Sequence, residues 1–404
     1  MYTSIDLGSH SIKIVVSEKI GDKYVVLAST NVRSRGIKRG AIKDYEEALE
    51  SLKEAVSNIN NSLGITIRNV LLNFPLYELN TTIETGEVAV DNVVSGKDIR
   101  KVIKKAVVEN IEETREVLYI EPIVFEIDSN IQVVDPKGLT SSKLKVRLAI
   151  SSIEKELLYE YLKLLHDAGL EVDDICYGIV GDYFEGITKD YQKKLGVVVN
   201  IGYSKTEIAI FNKGIMLKGN IIPIGSNKLE KDISYIYKID KKIATNLKET
   251  FAVASYKYAD ENDIREVENV SGEIIEINQF ELSQIVEARL KEMLKNVKQE
   301  VNDLTNREIS YIIISGGVTN LTGFSYLIDE EFSYDKIICN ITPLGIRSNI
   351  YSTCLGSIKY FANKMKFRDM ECSMISPEEI EKLKDSKEST IDELINKFND
   401  YHKD

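Results

Sequence analysis

Strand-like and helix-like patterns alternate along this chain, and one of them occurs twice. Tyr2-Thr3-Ser4-Ile5-Asp6-Leu7 reads as a strand, Gly8-Ser9-His10-Ser11 as a tight turn, and Ile12-Lys13-Ile14-Val15-Val16 as a second strand. Lys23–Ser29 is a third strand-like run. Between Tyr45 and Ile59 the period changes: Ala48, Leu52, Ala55, Val56 and Ile59 fall on one face of a helix. Asn69–Phe74 is a short buried strand. The opening therefore predicts the order β-β-β-α-β.

The stretch from about 83 to 160 has another character. It predicts a helix over Asp98–Val108, strands over Glu116–Ile120, Val124–Ile127 and Lys145–Ser151, and a helix over Glu154–His166 that stops near Gly169. At Leu195 the first theme returns. Gly196–Ile201 is a strand, Gly202-Tyr203-Ser204-Lys205 a turn, and Thr206–Phe211 a strand, with Gly202 in the place of Gly8. A repeated unit of this kind implies a duplicated architecture, and strands interleaved with helices imply an α/β class. Phe280–Val301 is a long helical pattern. Tyr311–Ile314 is a buried strand that ends in Ser315-Gly316-Gly317. Residues 376–390 are rich in Glu, Lys, Asp and Ser and read as a solvated linker. An apolar stripe then returns at Ile391, Leu394, Ile395 and Phe398.

Composition narrows the chemistry. The chain has 404 residues and a formal net charge of -12, which argues against a broad nucleic-acid surface. Its four cysteines form no C-x-x-C pair and its three histidines are scattered, so neither a zinc site nor a disulfide framework is expected. The N-terminus enters a strand-like run at once and no apolar run is long enough for a membrane span, so a cytoplasmic location is expected.

The turns carry the candidate chemistry. A phosphate chain needs inward-pointing backbone N–H groups and small residues that let the backbone approach. Gly8, Ser9, His10 and Ser11 can supply such a turn, Lys13 adds a positive charge, and Asp6 could hold Mg²⁺ through water. Gly202, Tyr203, Ser204 and Lys205 would grip the same phosphates from the other side, with Asn200 in the place of Asp6. The backbone at Gly316, Gly317 and Val318 would receive a base and ribose. The patterns G-x-x-x-x-G-K-[ST] and G-x-G-x-x-G are absent, which argues against a Walker or Rossmann site.

That order of loops resembles the actin, Hsp70 and sugar-kinase superfamily. Four further stretches resemble the bacterial cell-division FtsA family: Arg35-Gly36-Ile37-Lys38-Arg39-Gly40, Tyr119–Asp128 with Asp135-Pro136-Lys137-Gly138-Leu139, Gly169-Leu170-Glu171-Val172-Asp173, and Tyr351-Ser352-Thr353-Cys354-Leu355-Gly356. The likeness runs from residue 1 to about 365. It implies an actin-like, ribonuclease H-like duplicated fold of two α/β halves around a nucleotide cleft, with an FtsA-type 1C insert. The implied parts are subdomain 1A (1–82), the inserted 1C (83–162), the first part of 2A with the second phosphate loop (163–225), 2B (226–302), the remainder of 2A with the return to 1A (303–367), a linker (368–390) and a C-terminal amphipathic helix (391–404).

The resemblance also implies ATP and Mg²⁺ as ligands, with Lys248 and Glu249 flanking the base. It implies self-association into protofilaments, and binding of the FtsZ C-terminal peptide with Arg289 as a contact. It further implies a peripheral position on the inner face of the membrane at the division site, through the tail helix. Three positions depart from the family pattern. Asn200 removes a carboxylate, Tyr203 replaces a glycine, and Thr245 stands where Glu is usual. ATP binding with slow or no hydrolysis is therefore the expectation. The tail's polar face carries more acids than bases, which disfavours anionic lipid. A PilM-like actin-fold adaptor of pilus assembly is the alternative, and a sugar-kinase-type enzyme a more distant one.

Overall fold

The computed structural model describes residues 1–383, apart from 22, 77–79, 340, 342–345, 347 and 368–371. The tail residues Ile391, Leu394, Ile395 and Phe398 lie outside the described residues.

The first half opens with β1 (Tyr2–Leu7), β2 (Ser11–Ile20) and β3 (Lys23–Arg33), followed by a minimal ladder of β4 (Ile37–Lys38) and β5 (Ala41–Ile42). Helix α1 (Tyr45–Leu63) comes next, and then β6 (Asn69–Phe74). Asp44 starts α1 by accepting a hydrogen bond from the Glu47 N–H, and Gly64 ends it at φ 70°. Its buried face is Ala48, Leu52, Ala55 and Ile59, the stripe that the spacing predicts.

An insert follows: β7 (Asn80–Ala89), α2 (Gly96–Val108), β8 (Arg115–Ile127), β9 (Ile131–Val133) and β10 (Lys143–Glu154). Its strands form a separate antiparallel sheet in the order β7-β10-β8-β9, with a core of its own around Val102, Phe125, Val146 and Leu148. Where the sequence suggests two strands, β8 is one strand that passes through Pro122. The register shifts there against β10, and β9 pairs only with Phe125–Ile127. Pro122 has no N–H to give, but nothing on its other edge requires one.

Helix α3 (Lys155–Asp167), β11 (Glu171–Tyr177) and α4 (Gly178–Gly186) return the chain to the first half. The second half contains β12 (Leu195–Ile201), β13 (Thr206–Asn212), β14 (Ile215–Ile222), α5 (Asn227–Tyr237) and α6 (Lys241–Thr250). After them come the hairpin β15 (Ile264–Glu268) and β16 (Ile274–Asn278), α7 (Gln279–Leu304), β17 (Tyr311–Ser315), α8 (Phe324–Glu331), β18 (Asp335–Ile338) and α9 (Ser352–Phe367).

The two main sheets have one topology. Their orders are β3-β2-β1-β6-β11 and β14-β13-β12-β17-β18. In each, three antiparallel strands are followed by two that run parallel to the first. The duplication suggested by Gly8 and Gly202 is thus a duplication of whole five-stranded sheets. Helices α4 and α9 cross at a contact of two glycines, where a Cβ on Gly356 would lie 1.7 Å from the carbonyl oxygen of Gly181. Any larger side chain would force the helices apart.

One expectation fails in the C-terminal stretch. The solvated linker expected over residues 376–390 is docked along its described part, 376–383: Ser376, Pro377, Glu378, Glu381 and Lys382 are exposed, but the segment is held to the first half from both ends. The Met374 N–H donates to the Met1 carbonyl at 3.0 Å, and Glu379 accepts from the Thr66 N–H at 3.2 Å. Ile375 and Leu383 are buried, and Ile380 packs on the first core. These apolar residues are diluted among charges, so average composition hides a stripe that can still be buried. Among the described residues, no helix is long and apolar enough to cross a membrane.

Candidate functional site

Each hairpin turn is built in the same way. The Gly8 N–H donates to the Ser11 carbonyl at 3.2 Å, and the Gly202 N–H to the Lys205 carbonyl at 3.0 Å. A Cβ on either glycine would sit within 2.9 Å of the carbonyl its own N–H binds, so the tight turn requires glycine. Both turns open onto one cleft of about 430 Å³. Asp6, Gly8, Ser9, His10, Ser11 and Lys13 line it from the first half; Asn200, Gly202, Tyr203, Ser204 and Lys205 line it from the second. Lys248 and Glu249 on α6, and Gly316, Gly317 and Val318 after β17, complete the wall. Every cleft residue picked out from the sequence is therefore brought to one place. Gly316 has φ 98°, and a Cβ there would lie 2.3 Å from the Ile201 carbonyl oxygen. This locks the third loop against the end of β12.

The electrostatics of the two turns differ. Lys13 Nζ lies 2.5 Å from Asp6 Oδ2. Burial works against the Lys13 charge, but Asp6 outweighs it and holds the amine above its ordinary value. In the second turn the position opposite Asn200 is Glu207, not a lysine. Glu207 pairs with Lys205 at 2.5 Å and accepts from the Leu76 N–H at 3.2 Å, a hydrogen bond that joins the two halves.

Asn200 does not face the cleft alone. Its Nδ2 donates to Asp182 Oδ2 at 2.6 Å, while Ser352 and Thr353 donate to Asp182 Oδ1 at 2.7 and 3.1 Å. Asp182 is fully buried on α4. Burial pushes its carboxyl up to about 6, and hydrogen bonds from Asn200, Ser352, Thr353 and Ser315 limit the rise. Sequence reasoning missed Asp182, although two acids, Asp182 and Glu185, inside the otherwise uncharged run Gly178–Gly186 were the available signal. It also missed Glu230, a fully buried acid on α5. Lys248 Nζ donates to Glu230 at 2.8 Å, and the Tyr203 hydroxyl donates to it at 2.7 Å.

Two other sequence-derived expectations have their places. Arg289 on α7 donates to both oxygens of Asp232, from Nε at 2.5 Å and from a terminal nitrogen at 3.0 Å, and it also pairs with Glu292. Its charge is thus already met between α5 and α7. For Mg²⁺, the described residues hold no group of three or more His, Cys, Asp or Glu side chains that could cage a metal. Asp6 lines the cleft among phosphate-loop groups. That donor set fits a water-mediated Mg²⁺ ion carried on phosphate, not an all-protein cage.

Two equivalent α/β halves, facing each other across a cleft built from paired hairpin turns, make this an actin-like two-lobed fold. Solved structures agree: the chain matches a PilM-PilN type IV pilus biogenesis complex with a TM-score of 0.59 at 11% identity, covering 88% of this chain and 96% of that one. It matches MreB5 of Spiroplasma citri bound to ADP with a TM-score of 0.54 at 14% identity, covering 90% and 97%. The family described as Cell division protein FtsA matches residues 197–356, and the SHS2 domain inserted in FTSA matches residues 78–152. The chain belongs to the FtsA family and is a cell-division protein with an actin-like fold. It is similar to Cell division protein FtsA of Bacillus subtilis (strain 168), 26% identical over 94% of this chain and 87% of that protein. It is also similar to that of Streptococcus pneumoniae serotype 2, 26% identical over 90% and 80%.

Proposed function

We propose that the chain is an ATP-binding adaptor that links FtsZ to the inner face of the cytoplasmic membrane at the division septum and assembles into actin-like protofilaments. The observation that carries this reading is the single cleft between paired glycine turns, with Lys13 at its floor and the Gly316–Val318 loop on its wall. Backbone N–H groups and buried cations of this kind suit a polyphosphate, and a relative in fold was solved with ADP bound. Mg²⁺, when bound, would neutralise phosphate charge, with Asp6 holding its waters. The chain's own groups bind, orient and enclose the nucleotide. No carboxylate stands at position 200, and Asp182 behind it is tied to three donors. The nucleotide therefore acts mainly as a ligand that favours the closed, assembling state.

Arg289 is the proposed contact for the FtsZ C-terminal peptide, which requires it to exchange Asp232 for a peptide carboxylate. Ile391, Leu394, Ile395 and Phe398 are the proposed lipid contacts. Their weak individual binding would be multiplied by polymerisation. The test is co-pelleting of the full chain with vesicles, with and without ATP and FtsZ. Binding of ATP, together with lipid binding that rises with ATP and falls when the chain ends at Leu383, supports the reading. A chain that binds neither ATP nor FtsZ refutes it.

A further inference from the structure

His10 belongs to the first turn and Tyr203 to the second, and their rings meet across the cleft with centroids 4.6 Å apart. Both residues line the cleft. The Tyr203 ring also has cations near it from both halves: the Arg33 guanidinium at 5.8 Å and Lys241 Nζ at 5.5 Å from its centroid. Arg33 further contacts His10 Nδ1 at 3.0 Å. Behind the ring, the Tyr203 hydroxyl is anchored on Glu230, whose other oxygen holds Lys248.

These contacts have a direct steric consequence. An extended phosphate chain that is to lie between the turns at Gly8 and Gly202 must pass His10 of the first turn and Tyr203 of the second, whose rings touch. Resting on the nucleotide-binding reading above, we propose that His10 and Tyr203 form a two-ring gate over the phosphate end of the cleft. Glu230 is the positioning residue that holds the gate shut, and Arg33 and Lys241 are the cations an incoming polyphosphate meets first. The gate ties the halves together by aromatic contact and cation–π attraction, which need no bound ligand. Through Glu230 it is joined to Lys248 on α6, which also lines the cleft. The His10 imidazole is neutral at neutral pH, because burial and then Arg33 lower it to about 4. The ring contact therefore does not depend on a charge on His10.

The sequence supplies an unusual reporter, because the chain contains no tryptophan. Tyr203→Trp places a single indole at the gate. Its emission should shift when ATP binds, with binding measured independently by equilibrium dialysis. Tyr203→Phe keeps the ring and removes the anchor. It should raise the dissociation rate of a fluorescent ATP analogue about tenfold, the scale of one hydrogen bond to a charged group, and raise the association rate as well, because the gate is shut in the free chain. Glu230→Gln should act in the same direction. His10→Ala should also speed dissociation, and adding Tyr203→Phe to it should do little more, because one gate is opened twice. Arg33→Glu should slow association instead.

Three results would overturn the gate: dissociation rates equal to wild type in Tyr203→Phe and His10→Ala, multiplicative effects in the double variant, or an indole signal unmoved while dialysis shows ATP bound. A wild-type chain that binds no ATP in dialysis would sink the nucleotide reading itself, and the gate with it.

Discussion

Asp182→Asn offers a quantitative test of the site's electrostatics. Burial raises the Asp182 carboxyl from its ordinary 3.8 to about 6. Between those values the folded chain holds the proton more tightly than the unfolded chain. The stability so gained is fully present below about pH 4 and is lost as pH rises through about 6. The whole shift corresponds to about 3 kcal/mol, of which roughly half falls between about pH 5 and pH 8. Asparagine can keep the acceptor for Ser352 and Thr353, and with the Asn200 amide turned over it still has a partner there. The variant should thus fold while losing the proton linkage. The assay is scanning calorimetry of both chains at about pH 5 and pH 8. For a chain of this length, that half shifts Tm by roughly 2 °C. Relative to wild type, the variant should gain about that much on going from the lower pH to the higher. Parallel pH curves for the two chains would mean that the buried carboxyl carries no such linkage, and the reasoning would fail.

The other expectations concern the third loop, the C-terminal stretch and the peptide contact. Gly316→Ala should lower stability by about 1–3 kcal/mol and weaken ATP binding in dialysis, because its φ of 98° and the Ile201 carbonyl both exclude a Cβ; an unchanged Tm and affinity would refute the lock on the third loop. Relative to a chain ending at Leu383, one ending at Ser376 loses the packing of Ile380 and Leu383 and should melt roughly 3 °C lower; equal Tm values would show that the stretch does not stabilise the first half. On the proposed FtsZ contact, Arg289→Ala should weaken binding of the FtsZ C-terminal peptide about tenfold, and Asp232→Asn should strengthen it by releasing the arginine. Calorimetric titrations giving one affinity for all three chains would remove Arg289 from that contact.

Much of the fold was legible because it is written in local periodicity. The hairpins at Asp6–Lys13 and Asn200–Thr206, the stripe of α1 and the long α7 each follow from residues that are close in sequence. The short helices α4, α5 and α6 and the hairpin β15–β16 were not spelled out by such patterns. Each is brief, and tertiary packing decides its state. The docking of residues 376–383 is not legible in the sequence because only Ile380 and Leu383 stand there among four charges.

The two glycine turns, their order along the chain and the amide in place of a carboxylate at Asn200 can be read from residues close together in the chain. Backbone geometry imposes those requirements within a few residues. What the turns meet is set by packing between distant parts of the fold. That packing put Asp182 beneath Asn200, 18 residues away, together with Ser352 and Thr353 from the far end of the chain. It put Glu230 between Tyr203 and Lys248, and the His10 ring against the Tyr203 ring. Such meetings depend on which helix crosses which sheet and at what register. A buried polar group must find its partners wherever the packing has carried them.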